Sequence, residues 1–302
     1  MRNRWIRPAV GAVGALFLVV PPARADIIED NLSQLSPDFA KGYLDPIQEG
    51  LNASVNSGIF RTGDVPLAGL NFTLDLTASV IDFGDAEKTW TPAVPAGFTA
   101  GPVPTIIGGT DAVSLNGPGG SQIAFPGGLE LSHWGFVAPQ LTVGSVLGTR
   151  AMVRWLSVTL GDESLGDVNF WGVGLQHSIS QYFPALPLQL AAGGMYQKVE
   201  LGSKLVDANG LALNVTGSRR FGAGVSVEPY VGGGIDQFEM DMKYDVKDQN
   251  GVITSEETVS YERKTTGRFT LGANVKLAIL KAFGELNFAA QNGYSFGVSF
   301  GS

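Results

Sequence analysis

The chain contains no cysteine, only two histidines and, at 16% of its residues, few charged side chains. The missing thiols exclude a disulfide-stapled scaffold and a thiolate metal centre. They also remove the acylated cysteine that a lipoprotein anchor needs. Two histidines, His133 and His177, leave little for acid–base chemistry near neutral pH. A net charge of −8 gives no electrostatic footprint for nucleic acid. Long apolar runs are missing too. Ala9 to Val20 is a run of twelve, too short to span as a helix, and no later stretch approaches eighteen. What is abundant is glycine, with 41 residues, and hydrophobic side chains, at 44%. That mixture suits neither a coiled coil nor a disordered tail. The 302 residues are enough for one large core or one large barrel.

Arg2, Arg4 and Arg7 precede the apolar run, and Pro21-Pro22 with Ala23-Arg24-Ala25 follow it. A positive start, a short apolar stretch and a small-x-small site predict a secretory signal peptide over 1–25, rather than a membrane anchor. The mature chain then begins at Asp26. Without Arg2, Arg4, Arg7 and Arg24 it carries sixteen basic and twenty-eight acidic residues.

Over 26–61 the apolar residues Ile28, Leu32, Leu35, Phe39, Tyr43, Ile47 and Leu51 recur in steps of three and four, one face of a helix. Ser36-Pro37 and Asp45-Pro46 each read as an N-cap followed by proline. Two or three short helices broken at the prolines are expected. From Leu70 the period becomes two. Leu70, Phe72, Leu74, Leu76, Ala78 and Val80 alternate with polar residues that include Asp75, a strand with one apolar and one polar face. The same pattern returns at 268–277, 285–288 and 294–300. Further strands are expected at roughly 139–147, 149–158, 167–181, 187–201, 210–222 and 225–245.

Gly148, the Pro184–Pro187 segment, Ala223-Gly224 and Lys281 mark short connections. Longer polar links are expected at 159–166, 202–209, 246–258 and 291–293, with Asn209-Gly210 and Asn250-Gly251 as hairpin dipeptides. Short turns on one rim and long loops on the other is the layout of an outer-membrane barrel. Residues 84–128 hold ten glycines and six prolines. They lie in a loop over 84–137 that is the candidate lid or recognition surface. The count is ten strands, with eight to fourteen allowed, and a hairpin within 122–137 would make twelve. A strand at 52–61 would break the even count of single-chain bacterial barrels. Residues 26–61 are therefore assigned outside the wall, as a lumen plug or a periplasmic helical piece, and 62–302 to the barrel.

A soluble β-sandwich also alternates, with its apolar residues inward. Strands near ten residues long match a tilted membrane crossing instead. Aromatics towards strand ends (Tyr182, Phe183, Phe221, Tyr230, Phe288, Phe300) suit interfacial girdles. The expected fold class is thus all-β, a transmembrane antiparallel barrel with a short N-terminal helical segment. Tyr294, Phe296, Val298 and Phe300 alternate to the chain's end. Here the sequence, from about residue 70 onward, resembles bacterial outer-membrane β-barrel proteins, whose last strand carries an assembly signal ending in an aromatic; in this chain Gly301-Ser302 follow Phe300. The resemblance implies the barrel assembly machinery and outer-membrane lipid as partners, in a Gram-negative-type bacterium. Asn56-Ser57-Gly58-Ile59-Phe60 resembles the segment of the long-chain fatty-acid transporter family in which a plug precedes the first strand, although Pro and Ala of that family's Asn-Pro-Ala type segment are absent here. The chain is also similar to uncharacterised barrel families of the same layout, for which no activity is implied.

Strand parity turns Asp75, Arg150, Arg154, Arg220, Glu228, Asp236, Arg268, Lys276 and Glu285 towards the lumen. Such charges form either a selectivity zone or a pairing network that fills a narrow barrel. Phe39, Tyr43, Ile47 and Asn56 are the candidate plug residues. His177 precedes Ser178, but strand neighbours face opposite sides, so no nucleophile pair forms and no enzyme is expected. Asp248, Asn250, Gly251 and Glu257 match part of a calcium-binding loop whose first position is Val246, and a plain acidic turn fits better. No metal, cofactor or nucleotide site is expected. Two functions remain. One is passive passage of a small, hydrophobic solute with 26–61 in the lumen. The other is a closed structural or surface-interaction barrel.

Overall fold

The computed structural model describes residues 30–159, 167–202, 205–247 and 252–301. Ten strands close into an antiparallel barrel. They are β1 (Ala68–Asp82), β6 (His133–Val146), β7 (Thr149–Thr159), β8 (Asp167–Ser178), β9 (Gln189–Leu201), β10 (Val206–Ser218), β11 (Val225–Lys247), β12 (Ile253–Leu277), β13 (Leu280–Phe288) and β14 (Gly293–Gly301). Each pairs with its neighbour in sequence, and β1 closes the ring between β14 and β6. The short pairs β2 (Thr89–Trp90) with β3 (Val103–Pro104) and β4 (Val113–Asn116) with β5 (Gln122–Phe125) lie outside the wall. A hairpin within 122–137 therefore does not enter the ring.

The outward face explains the fold class. Leu74, Trp155, Trp171, Val173, Leu213, Val231, Leu271, Leu286 and Phe296 are all exposed on it. A soluble monomer does not keep so continuous an apolar belt in water, and the belt is the surface that a transmembrane barrel turns to lipid. Closure pairs the wall strands into a ring, as lipid demands, except that His133–Pro139 of β6 pair with β1 alone. Of the six aromatics expected in interfacial girdles, Tyr182, Phe183, Phe221, Phe288 and Phe300 are exposed. Tyr230 is buried instead. It shares the inward parity of Glu228 and Asp236 on β11, and its hydroxyl donates to Glu285 at 2.8 Å.

Several boundaries differ from the sequence reading. Asn209 and Gly210 lie inside β10, opposite Lys198 and Gln197, so the reversal falls before Val206. Asn250-Gly251 lies outside the described residues. The link expected at 246–258 is mostly strand, because Lys243 to Lys247 pair with Thr258 to Ile253. Strands β11 and β12, of 23 and 25 residues, outrun the roughly 9–11 that cross a membrane, and their hairpin projects beyond the wall. The loop over 84–137 ends at 132, since β6 pairs with β1 from His133 onward. Pro139 obscured that strand. The β6–β7 register ends at Gln140 opposite Arg154, so Pro139, which has no N–H to give, sits where β6 is in register with β1 alone.

Helix α1 (Pro37–Val55) continues through Pro46, where the sequence predicted a break. A proline inside a helix costs about 3 kcal/mol, and tertiary burial offsets it here: Tyr43, Leu44, Leu51 and Val55 are each at most 2% exposed. They join a hydrophobic cluster with Phe136, Leu156, Phe170, Val199, Phe238 and Met240 of the wall. The inward face of these strands is therefore apolar in one half of the barrel, where the helix lies.

Candidate functional site

Leu147-Gly148, 179–188, 219–224 and Ala278-Ile279 mark one rim, here the turn rim. At the opposite rim, the loop rim, α1 is held by β11 and β12. Tyr261 donates to the Lys41 carbonyl at 2.5 Å, Tyr244 to that of Leu35 at 3.3 Å, and Lys264 pairs with Glu49 at 2.8 Å. Residues 83–132 pack over it. The Phe125 ring meets that of Phe39 at a tilt, with centroids 5.0 Å apart, and the Ile106 N–H donates to the Tyr43 carbonyl at 2.9 Å. The Tyr43 hydroxyl accepts from Asn31 and donates to the Gly127 carbonyl at 2.9 Å. Burial pushes its pKa up to about 12, so it stays a donor. Phe39, Tyr43 and Ile47 thus form the floor under this outer layer rather than the deep part of a plug.

Below Val55 the chain leaves the helix and descends through the lumen to Leu67, whose carbonyl accepts from the Gly148 N–H at the turn rim. The wall holds this descent by its backbone. Arg268 donates to the Ala53 carbonyl at 3.0 Å and Arg154 to that of Val55 at 2.6 Å. The Gly58 N–H donates to Glu285 at 2.7 Å, Asn274 to the Arg61 carbonyl at 2.7 Å, and Gln176 to the Thr62 carbonyl at 2.9 Å. The Gly63 N–H donates to Ser218 at 2.9 Å, and Ser145 donates to the Pro66 carbonyl. Asn56 accepts from Gln197 at 2.7 Å, deep in the lumen. Two glycines let the backbone come this close. Gly58 has a φ of 71°, and a Cβ on Gly63 would stand 2.2 Å from the Gln189 carbonyl oxygen.

All nine charged candidates lie on the lumen side, but few pair with one another. Arg268 and Asp236 meet at 2.7 Å, and Arg220 and Glu228 at 3.3 Å. Asp75 pairs with Arg61 of the descending segment at 2.6 Å. Glu285 accepts from Gly58 and Tyr230. Arg154 is fully buried without a carboxylate, donating to Val55 and Gln197. Arg150 donates to Gln176. Sequence reasoning missed Arg61, Thr62, Gly63, Asp64 and Lys281. The last was a turn marker there, although its parity with Glu285 and Asn287 on one face was readable.

Between this segment and the turn rim lies a cavity of about 240 Å³, lined by Arg61, Asp64, Asp75, Arg150, Arg220, Glu228, Lys276 and Lys281 among others. His177 sits at the turn rim, within 2.7 Å of Thr149, 3.0 Å of Tyr182 and 2.8 Å of Gln181, and His133 pairs with Asp82 at the loop rim. Glu257 is in β12 opposite Tyr244, while Asp248, Asn250 and Gly251 lie outside the described residues. Among the described residues no three His, Asp or Glu side chains converge as metal ligands.

No curated protein matches the chain. Solved structures similar to it include OmpT, an outer membrane protein of Vibrio cholerae (9% identity, 80% of this chain and 99% of that one, TM-score 0.27). Others are the beta domain of the Bordetella autotransporter BrkA (10%, 78% and 99%, 0.27) and a BenF-like porin from Pseudomonas fluorescens Pf-5 (11%, 78% and 98%, 0.17). At such scores none of them bears on what this chain does. Over residues 9–302 the sequence matches one protein family, and the chain belongs to it: the family of unknown function DUF6588.

Proposed function

We propose that this protein is an outer-membrane barrel for passive passage of a small solute, closed at rest by its own residues 53–66. The observation that carries the reading is the way the lumen is filled. Wall side chains bond the backbone of the descending segment one after another, from Arg268 on Ala53 to Ser145 on Pro66. Such polar contacts can be exchanged for water, each at a net cost of about 0.5–1.5 kcal/mol, whereas an apolar plug would resist wetting. The turn rim faces the periplasm in this reading and the apolar belt faces lipid. In this reading passage follows the gradient. An apolar solute would use the seam beside Pro139, where Phe136, Leu156 and Phe170 point inward; the cavity below is polar.

A second reading, a closed surface-interaction barrel, draws on the outer layer. Ile106, Ile107, Phe125, Leu129 and Leu131 are buried in it with α1, so that mouth is built as a surface. Planar-bilayer conductance separates the two. The refolded mature chain should be quiet, and the same chain lacking 26–61 should conduct steadily, with at least a tenfold larger mean current. If both stay silent while running as folded, heat-modifiable barrels, the channel reading fails and the surface reading replaces it.

A further inference from the structure

Lys276 and Lys281 face each other directly across the β12–β13 ladder, and both line the turn-rim cavity. Like charges in that register repel. Among the described residues neither lysine has a carboxylate partner. Arg150 lines the same cavity, and the group its guanidinium meets is the neutral Gln176 amide. The carboxylates nearby are already engaged: Asp75 by Arg61, Asp64 and Glu228 by Arg220. Five cationic side chains thus share the cavity with three carboxylates, in a chain whose net charge is −8.

Gathering unpaired cations in a partly enclosed space is costly unless an anion meets them. We propose that this cavity binds one small oxyanion, a phosphate or carboxylate group, through Lys276, Lys281 and Arg150. Ammonium and guanidinium donors make short, strong hydrogen bonds to such oxygens. The volume of about 240 Å³ falls below the range of drug-sized pockets, which restricts the ligand to an inorganic ion or a small organic acid. Binding here requires neither conduction nor movement of 53–66, so a silent bilayer record leaves this site untouched.

The test is equilibrium dialysis of radiolabelled inorganic phosphate against the refolded mature chain in zwitterionic detergent at low chloride, with succinate as competitor. One saturable site per barrel is expected, displaced by succinate if carboxylates share it and retained against succinate if the site selects phosphate. K276Q/K281Q should weaken the site at least tenfold, while K264Q, on the projecting hairpin, should leave it unchanged. Thermal unfolding gives a second readout: phosphate should raise the midpoint of the parent protein and not that of K276Q/K281Q or R150Q. Absence of saturable phosphate and succinate binding overturns the proposal. So does unchanged binding in a folded K276Q/K281Q barrel.

Discussion

Replacing Arg268 by methionine should lower the stability of the folded barrel by about 3–5 kcal/mol. Arg268 and Asp236 are 4% and 2% exposed at their side chains, so solvent does not screen the pair. The guanidinium donates to Asp236, to Ser57 and Asn287, and to the Ala53 carbonyl. Removing it strands a buried carboxylate and releases the top of the lumen segment at once. Adding D236L should recover much of the loss, since apolar groups filling the site of a buried pair are often neutral. R154M is the contrast. Arg154 is just as buried, but its partners are the Val55 carbonyl and Gln197, so its loss orphans no charge and should cost less than about 2 kcal/mol. Urea titration of refolded protein, read by heat-modifiable mobility, gives all four values. Equal losses for R268M and R154M would show that carboxylate pairing is not what holds the lumen together.

The second large effect is expected at Gly63. A Cβ there would lie 2.2 Å from the Gln189 carbonyl oxygen and 2.8 Å from that of Thr216. Both are wall backbone on adjacent strands, and no flexible side chain can swing aside. G63V must therefore lift residues 62–64 off β9 and β10, losing the Gly63 N–H bond to Ser218. The overpacking should cost about 1–3 kcal/mol while the ring of wall strands stays closed. Functionally the change is larger: a thiol placed at Thr62 should react with a water-borne maleimide at least tenfold faster in G63V than without it. Unchanged labelling would mean that the segment is not seated against the wall at this point.

Much of this fold is written in the period-two alternation. Leu74 against Asp75, Leu271 against Thr270 and Phe296 against Ser295 each fixed parity correctly, because lipid on one side and a polar lumen on the other impose opposite chemistry. Eight of the nine charged candidates sit on wall strands at the parity of the lumen side, while Arg220 lies in the turn between β10 and β11. The failures have a common source in partners distant along the chain. Pro46 signals a helix break locally, yet α1 continues because Tyr43 and Leu44 are buried against the wall and the outer layer. Asn209-Gly210 signals a turn, yet pairing with Lys198 and Gln197 extends the strand past it. Tyr230 looks interfacial until Glu285 supplies a buried acceptor. Arg61 to Asp64 carry no periodic signal at all. They are an irregular chain whose bonds run mostly to six strands of the wall, β1, β8, β10, β11, β12 and β14, so only the closed barrel reveals their role.

Whether residues 56–66 run through the lumen is tested most directly by a cysteine pair. Thr62 Oγ1 and Ser218 Oγ lie 3.4 Å apart, and sulfur atoms in those positions need only a small approach to reach the roughly 2.05 Å of a disulfide. The chain has no cysteine of its own, so no other thiol competes. In T62C/S218C barrels oxidised in the membrane, mass spectrometry should find the 62 and 218 peptides joined. T62C/L213C, whose second thiol replaces an outward-facing residue, should stay unlinked. Free thiols at both 62 and 218 in a folded barrel would place the segment outside the lumen and contradict the plugged-barrel account.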